Sequence, residues 1–97
     1  MFGHLLATRD TRAEARQKVQ QGALLLDVRT PQEYAAGHLS DAVNIPVQQL
    51  PGRMAELGPV ARSVVVYCRS GGRSATAARM LRAAGHDVTD LGPMSAW

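Results

Sequence analysis

The sequence is poor in cysteine, in aromatic residues and in long apolar runs. Its 97 residues include one cysteine, one tryptophan, two tyrosines and one phenylalanine. A single cysteine excludes an internal disulfide, a cysteine-cluster metal site and a two-cysteine redox motif. No apolar run approaches the roughly 20 residues that a membrane-spanning helix needs, and the N-terminal residues lack the basic leader of a secretory signal. We therefore expect residues 1–97 to form a single domain, located in the cytoplasm and without a membrane anchor.

The charged and metal-ligating residues exclude two further classes of protein. The net charge of +3 comes mainly from arginines, which are scattered, whereas nucleic-acid binding calls for a basic stripe with stacking aromatic residues. His4, His38 and His86 are far apart in the sequence and lack the close spacing of a metal motif. We predict no nucleic-acid partner, no metal and no cofactor, although the positive charge would help to draw small anions to a site.

Residues 64–74, with the sequence VVVYCRSGGRS, lead from an apolar run through a loop into an alanine-rich segment. The three consecutive valines predict a strand that is buried on both faces, as in a parallel sheet. The strong helix formers of residues 75–84 predict a helix that ends at Gly85. The pair Gly71-Gly72 allows the backbone between strand and helix to curl where bulkier residues would be strained.

Cys68 stands where this strand meets the loop. A loop at the start of a helix directs unpaired backbone N–H groups to one point, and the helix dipole adds partial positive charge there. Arg69 and Arg73 add full positive charges. A thiol in such surroundings loses its proton more easily, and the thiolate is the reactive form. We interpret Cys68 as the nucleophile of an anion-binding site, the alternative being an inert buried cysteine at a strand end.

The rest of the chain alternates strands with helices, which predicts a parallel sheet that is covered on both faces. Two capping boxes, Thr11–Glu14 and Thr30–Glu33, predict helices that run to about Gln21 and to Ala36. A broken helical segment is predicted at residues 47–57, interrupted at Pro51-Gly52 and closed by Gly58-Pro59. The other predicted strands are His4–Leu6, Ala23–Val28, Val43–Pro46 and Asp87–Leu91.

Asp27 and Arg29 fall at the carboxyl end of the strand predicted at Ala23–Val28. Because that strand is apolar nearly throughout, we expect it to lie in the centre of the sheet. The carboxyl ends of central strands form the edge of an open α/β sheet at which ligands usually bind.

Several motifs, taken in their order, resemble a single rhodanese domain. They are LLDVRTP at 25–31, EY at 33–34, GHL at 37–39, AVNIP at 42–46, YCRSGGRS at 67–74 and LG at 91–92 with Trp97. The resemblance covers nearly the whole chain. It implies a rhodanese-like three-layer α/β domain, with a mostly parallel five-stranded sheet and helices on both faces.

The resemblance also implies a sulfurtransferase of the thiosulfate type. Cys68 would take the outer sulfur from a donor such as thiosulfate, and the resulting persulfide would pass that sulfur to a thiophilic acceptor, which could be cyanide, a thiol or a protein. We expect Asp27 to hold the loop or an arginine in place, and His38 to stabilise a turn. The residues implied to bind the persulfide or the anionic donor are Arg29, Arg69, Ser70, Gly71, Gly72, Arg73 and Ser74.

The length of the loop separates this function from a related one. Relatives that act as dual-specificity phosphatases or arsenate reductases have five residues between the cysteine and the arginine, whereas only four separate Cys68 from Arg73. The shorter loop suits a sulfur atom better than a tetrahedral oxyanion. A sulfur carrier or partner-binding module with a protein donor remains the main alternative, and the oligomeric state is expected to be a monomer or a weak homodimer.

Overall fold

The computed structural model describes residues 10–97, in which four parallel strands form one sheet in the order β2-β1-β3-β4. The strands are β1 (Leu24–Asp27), β2 (Val43–Asn44), β3 (Ser63–Cys68) and β4 (Asp87–Pro93). The α-helices are α1 (Thr11–Gln20), α2 (Pro31–Ala35) and α3 (Gly72–Ala83). The expected number of five strands is thus corrected to four for this part of the chain. The strand predicted at His4–Leu6 lies outside the described residues.

Side chains of a strand alternate between the two faces of a sheet, so the residues of β3 divide between two apolar clusters, one on each face. Val64, Val66 and Cys68 of β3 belong to an apolar cluster that also contains buried residues of α3. Val65 and Tyr67 belong to a second cluster, together with Ala15 of α1. The predicted α/β architecture with a parallel sheet and helices on both faces is therefore confirmed. Among residues 10–97, none of the helices has the length and hydropathy of a membrane-spanning segment.

Helix α2 begins as its sequence predicts, and α1 does not. The Thr30 hydroxyl accepts a hydrogen bond from the Glu33 backbone N–H at 3.1 Å, and the Glu33 carboxylate accepts one from the Thr30 N–H at 2.9 Å. In α1 the N-cap is Asp10, whose carboxylate accepts from the Ala13 N–H at 3.1 Å. The capping box predicted at Thr11–Glu14 is therefore wrong, because aspartate is itself a strong N-cap residue and moves the first turn by one position.

The segment between β2 and β3 is helical and broken, as predicted. It forms two 3-10 helices, Val47–Gly52 and Met54–Leu57. The break falls at Arg53 rather than at Pro51, which the first of these helices accommodates. Three buried side chains of this segment, Val47, Leu50 and Leu57, join the same apolar cluster as α3, so the segment completes the cover of that face.

Candidate active site

The sulfur of Cys68 lies at the junction of β3 and α3. Cys68 is the last residue of β3 and is buried. Gly71 is the N-cap of α3 and has a left-handed backbone with φ +106°, a conformation that glycine adopts readily and other residues rarely. The helix consequently begins at Gly72, three residues before the predicted start at Ala75. In this arrangement the Gly71 backbone N–H donates a hydrogen bond to Sγ of Cys68 over 2.9 Å.

The surroundings lower the pKa of the Cys68 thiol. Burial acts to raise this pKa, but hydrogen bonds from the Ser74 hydroxyl and from the backbone N–H groups of Ser74, Gly71 and Ser70 outweigh it. The Ser74 hydroxyl also lies 3.1 Å from the Gly71 carbonyl oxygen. Since a hydroxyl has a single proton that rotates, it can donate to either the carbonyl or the thiolate. The loop therefore favours the thiolate, which is the nucleophilic form of cysteine.

Arg73 binds a carboxylate from a distant part of the chain. Its Nη1 donates to Oε1 of Glu33 at 2.6 Å, and its Nη2 donates to Oε2 at 3.0 Å. This two-point contact, together with the hydrogen bonds from Thr30, lowers the pKa of Glu33 to about 2. The ion pair is therefore formed at neutral pH, and it ties the first turn of α3 to the first turn of α2.

Arg29 binds Asp27 in the interior, at the carboxyl end of β1. The guanidinium Nη2 lies 2.6 Å from Oδ2 of Asp27, and Nε lies 3.0 Å from Oδ1. Asp27 also accepts a hydrogen bond from the Tyr67 hydroxyl at 2.7 Å. The hydrogen bond to Asp27 is the main cause that raises the pKa of Arg29. Because Asp27 is fully buried and Arg29 is 5% exposed, the two charges depend on each other for compensation.

The Asp27–Arg29 pair also fixes the segment between α2 and β2. Nη2 of Arg29 donates to the Gly37 carbonyl oxygen at 2.7 Å, and the Leu39 backbone N–H donates to the Tyr67 hydroxyl at 3.1 Å. His38, between them, stacks on the ring of Tyr34 with centroids 3.6 Å apart, and its Nδ1 lies 2.7 Å from the Tyr34 carbonyl oxygen. Through these contacts His38 stabilises the turn that follows α2.

Arg69 differs from the other two arginines of the site. It is exposed, and among residues 10–97 it has no carboxylate or carbonyl partner. It borders a cavity of about 330 Å³ next to the loop, which we call the Arg69 cavity. The lining residues of the Arg69 cavity are Arg29, Glu33, Ala36, Gly37, Arg69 and Met94. In this cavity an anion would find a cation that no carboxylate of residues 10–97 neutralises.

The structure thus brings the residues of the predicted site to one end of the sheet. Gly71, Ser70 and Ser74 donate toward Cys68, whereas the side chains of Arg29 and Arg73 are occupied by carboxylates. The pairing of Glu33 with Arg73 is not predicted from the sequence, because the capping box by itself accounts for a glutamate at that position. No group of three metal-ligating side chains occurs in the described part of the chain.

Comparison with known proteins identifies the family. The family described as Rhodanese-like domain matches residues 11–97. The chain belongs to this family. A protein called a sulfurtransferase in Allochromatium vinosum is 44% identical to this rhodanese-like domain over 79 residues, which cover 79% of this chain and 73% of that protein. The sequence-based identification as a rhodanese domain is therefore confirmed, and the chain falls among the rhodanese-domain sulfurtransferases.

Two further comparisons give a similar domain within a larger protein and a solved structure with the same fold. A helix-turn-helix transcriptional regulator of Mycobacterium tuberculosis is 42% identical over 84 residues, which cover 84% of this chain but only 37% of the regulator. A solved structure described as a rhodanese with anions, from E. coli, superimposes with a TM-score of 0.72 at 31% identity and covers 78% of this chain and 92% of its own. Rhodanese-like domains similar to this one thus occur both alone and within a larger protein.

Proposed function

We propose that this rhodanese-like domain moves a sulfane sulfur from thiosulfate or a persulfide donor to a thiophilic acceptor, through a persulfide on Cys68. The observation that carries the proposal is the hydrogen bond of 2.9 Å from the Gly71 N–H to Sγ of Cys68. It lies at the N-terminus of the twelve-residue helix α3, where unpaired N–H groups and the helix dipole stabilise an anion. The same position would stabilise first the Cys68 thiolate, which is the nucleophile, and then the persulfide anion, which is the covalent intermediate.

In the first step the Cys68 thiolate attacks the outer sulfur of thiosulfate. A sulfur–sulfur bond forms to Cys68, the sulfur–sulfur bond within thiosulfate breaks, and sulfite leaves with the electron pair of the broken bond. The negative charge of the thiolate passes to the outer sulfur of the persulfide. The N–H groups of the loop can stabilise that charge, because they are held in place before the reaction begins. Arg69 supplies the positive charge that attracts the donor to the Arg69 cavity.

In the second step a nucleophilic acceptor attacks the outer sulfur of the persulfide. The new bond to the acceptor forms as the bond to Cys68 breaks, and Cys68 leaves as a thiolate with the bonding electrons. A cyanide acceptor becomes thiocyanate, and a thiolate acceptor becomes a persulfide. No general base is required, since the loop already lowers the pKa of Cys68. Cys68 thus returns to the thiolate form with which the first step began.

A turnover assay tests this proposal. The protein is mixed with thiosulfate and cyanide, and thiocyanate formation is followed in the wild type and in Cys68→Ser. We expect thiocyanate from the wild type only, since serine is a far poorer nucleophile at neutral pH. Equal thiocyanate formation by the two proteins would rule out a Cys68 persulfide as the intermediate.

A sulfur carrier with a protein donor is the second candidate. The observation that favours it is the 37% share of the Mycobacterium tuberculosis regulator that the chain covers, because the similar domain there is one part of a larger protein. Thiosulfate would then be a poor donor, and Cys68 would be persulfidated by a protein such as a cysteine desulfurase. Persulfidation of Cys68 by the protein donor alone distinguishes this candidate from the first.

Phosphatase or arsenate reductase activity is less well supported. Such an activity needs a site for a tetrahedral oxyanion, and the four residues between Cys68 and Arg73 form a short loop. Both terminal nitrogens of Arg73 are also bound to Glu33 and would have to leave it to bind an oxyanion. Hydrolysis of an aryl phosphate that depends on Cys68 would revive this function.

A further inference from the structure

Glu33 contributes a negative charge to a site whose proposed donors are anions. Its carboxylate takes part in the capping box of α2, binds Arg73 at two points and lines the Arg69 cavity together with Arg29. The capping box alone would be served as well by glutamine, which also occurs at this position of such boxes. The hydrogen bonds of the capping box therefore do not require the charge of Glu33, and that charge acts also on Arg73 and the cavity.

The charges around the loop nearly cancel because of two carboxylates. Asp27 compensates Arg29, and Glu33 compensates Arg73, so that Arg69 is the one cation of this group that no carboxylate of the described residues pairs with. Once Cys68 is a thiolate, its charge offsets that of Arg69. The bond to Glu33 is the main cause that raises the pKa of Arg73, and the Cys68 thiolate contributes, so Arg73 is within electrostatic reach of the reacting sulfur.

We infer that Glu33 sets the charge selectivity of the site: by neutralising Arg73 beside the Arg69 cavity, it limits the preference for doubly charged donors over singly charged ones. This inference rests on the proposed function for its biological meaning, while the selectivity itself is a property of Cys68 and the charges around it. The ratio of the rate with thiosulfate to the rate with a singly charged donor, such as a persulfide or an alkanethiosulfonate, should accordingly be lower than at a site with a free Arg73. Glu33 is thus a specificity-determining residue that acts through Arg73.

Alkylation of Cys68 by two reagents of equal shape tests the selectivity without any sulfur transfer. Iodoacetate carries one negative charge and iodoacetamide carries none, so the ratio of their rates reports the local potential at the sulfur, and any change in the pKa of Cys68 cancels. In Glu33→Gln, which keeps the capping box, the iodoacetate-to-iodoacetamide ratio should rise roughly fivefold at low salt. The increase should shrink at about 1 M salt, where the screening length is about 3 Å.

Two further variants complete the experiment. Glu56→Gln is the matched control, because Glu56 forms an exposed pair with Arg53, and its loss changes the net charge equally; its ratio should equal that of the wild type. Arg73→Gln leaves the Glu33 carboxylate unpaired, and its ratio should fall several-fold below that of the wild type. An unchanged ratio in Glu33→Gln, or an equal rise in Glu56→Gln, would overturn the inference.

The same comparison with two sulfur donors connects the inference to the proposed function. Thiosulfate is doubly charged and methanethiosulfonate is singly charged, and each would transfer its outer sulfur to Cys68, releasing sulfite or methanesulfinate with the bonding electrons. In Glu33→Gln the rate ratio of thiosulfate to methanethiosulfonate should rise in parallel with the alkylation ratio. If the alkylation ratio shifts as expected but neither donor persulfidates the wild type, the proposed use of these donors fails while the charge selectivity stands.

Discussion

The backbone N–H of Gly71 donates to Sγ of Cys68 over 2.9 Å because Gly71 has a left-handed backbone at the N-cap of α3. A residue with a side chain at position 71 would resist φ +106°. The nucleophile and the residue that stabilises its charge are therefore linked through one backbone conformation. Three testable consequences concern the thiol, the glycine and the buried pair beside them.

The pH dependence of Cys68 alkylation should show a thiol that ionises below its ordinary range. Hydrogen bonds from Ser74, Gly71 and Ser70 outweigh burial and lower the pKa of Cys68, so the thiolate persists to lower pH than in a free cysteine. The rate with iodoacetamide should reach half of its maximum below about pH 8.5, the ordinary thiol value. In the urea-unfolded protein the midpoint should return to about 8.5. If the midpoint of the folded protein were higher than that of the unfolded protein, the loop would not be stabilising the thiolate.

Gly71→Ala should destabilise the fold and weaken the loop. An added Cβ would meet no atom within 4 Å, so the cost comes from the left-handed backbone alone and amounts to about 1–2 kcal/mol in the free energy of unfolding. The pKa of Cys68 should also rise as the N–H moves away. Gly72→Ala is the matched control for stability, because Gly72 has no positive φ, is also free of close contacts and is helical; there alanine should not destabilise. If the two variants lost equal free energy of unfolding in urea, the left-handed backbone of Gly71 would not be the cause of the destabilisation.

Asp27→Asn should be far more destabilising than the same substitution in an exposed ion pair. It would leave the Arg29 charge buried without its carboxylate, at a cost of about 3–5 kcal/mol. Asp87→Asn is the comparison, since Asp87 binds Lys18 at 2.5 Å on the surface, where such pairs contribute about 0–1 kcal/mol. Urea unfolding of the two variants measures the difference. Similar losses would mean that Arg29 finds another compensating partner.

The sequence predicted the local features of the site and missed its long-range pairs. The valine run of β3, the glycine pair and the capping box of α2 depend on neighbouring residues, and each was interpreted correctly from its own segment. The pairing of Arg73 with Glu33 joins residues 40 positions apart and depends on how α2 and α3 pack at one end of the sheet. A single sequence does not indicate which of several carboxylates an arginine will meet.

Errors at element ends have a similar physical origin. Asp10 and Thr11 are both good N-cap residues, so the sequence alone leaves the start of α1 uncertain by one position. Glycine disfavours a helix interior but is tolerated in a first turn, and α3 accordingly begins at Gly72 rather than at the first strong helix former, Ala75. The fold class was therefore predictable, whereas the exact boundaries and the partners of the arginines required the structure.

The intact mass of the protein after exposure to thiosulfate tests the central claim most directly. The reduced protein is mixed with excess thiosulfate, the donor is removed, and the mass is recorded under non-reducing conditions, with Cys68→Ser as the control. We expect the wild type to gain the mass of one sulfur atom, the variant to gain none, and cyanide to remove the gain. An unchanged mass in the wild type would contradict transfer from thiosulfate through Cys68, and a gain of the same size in Cys68→Ser would contradict Cys68 as the residue that carries the sulfur.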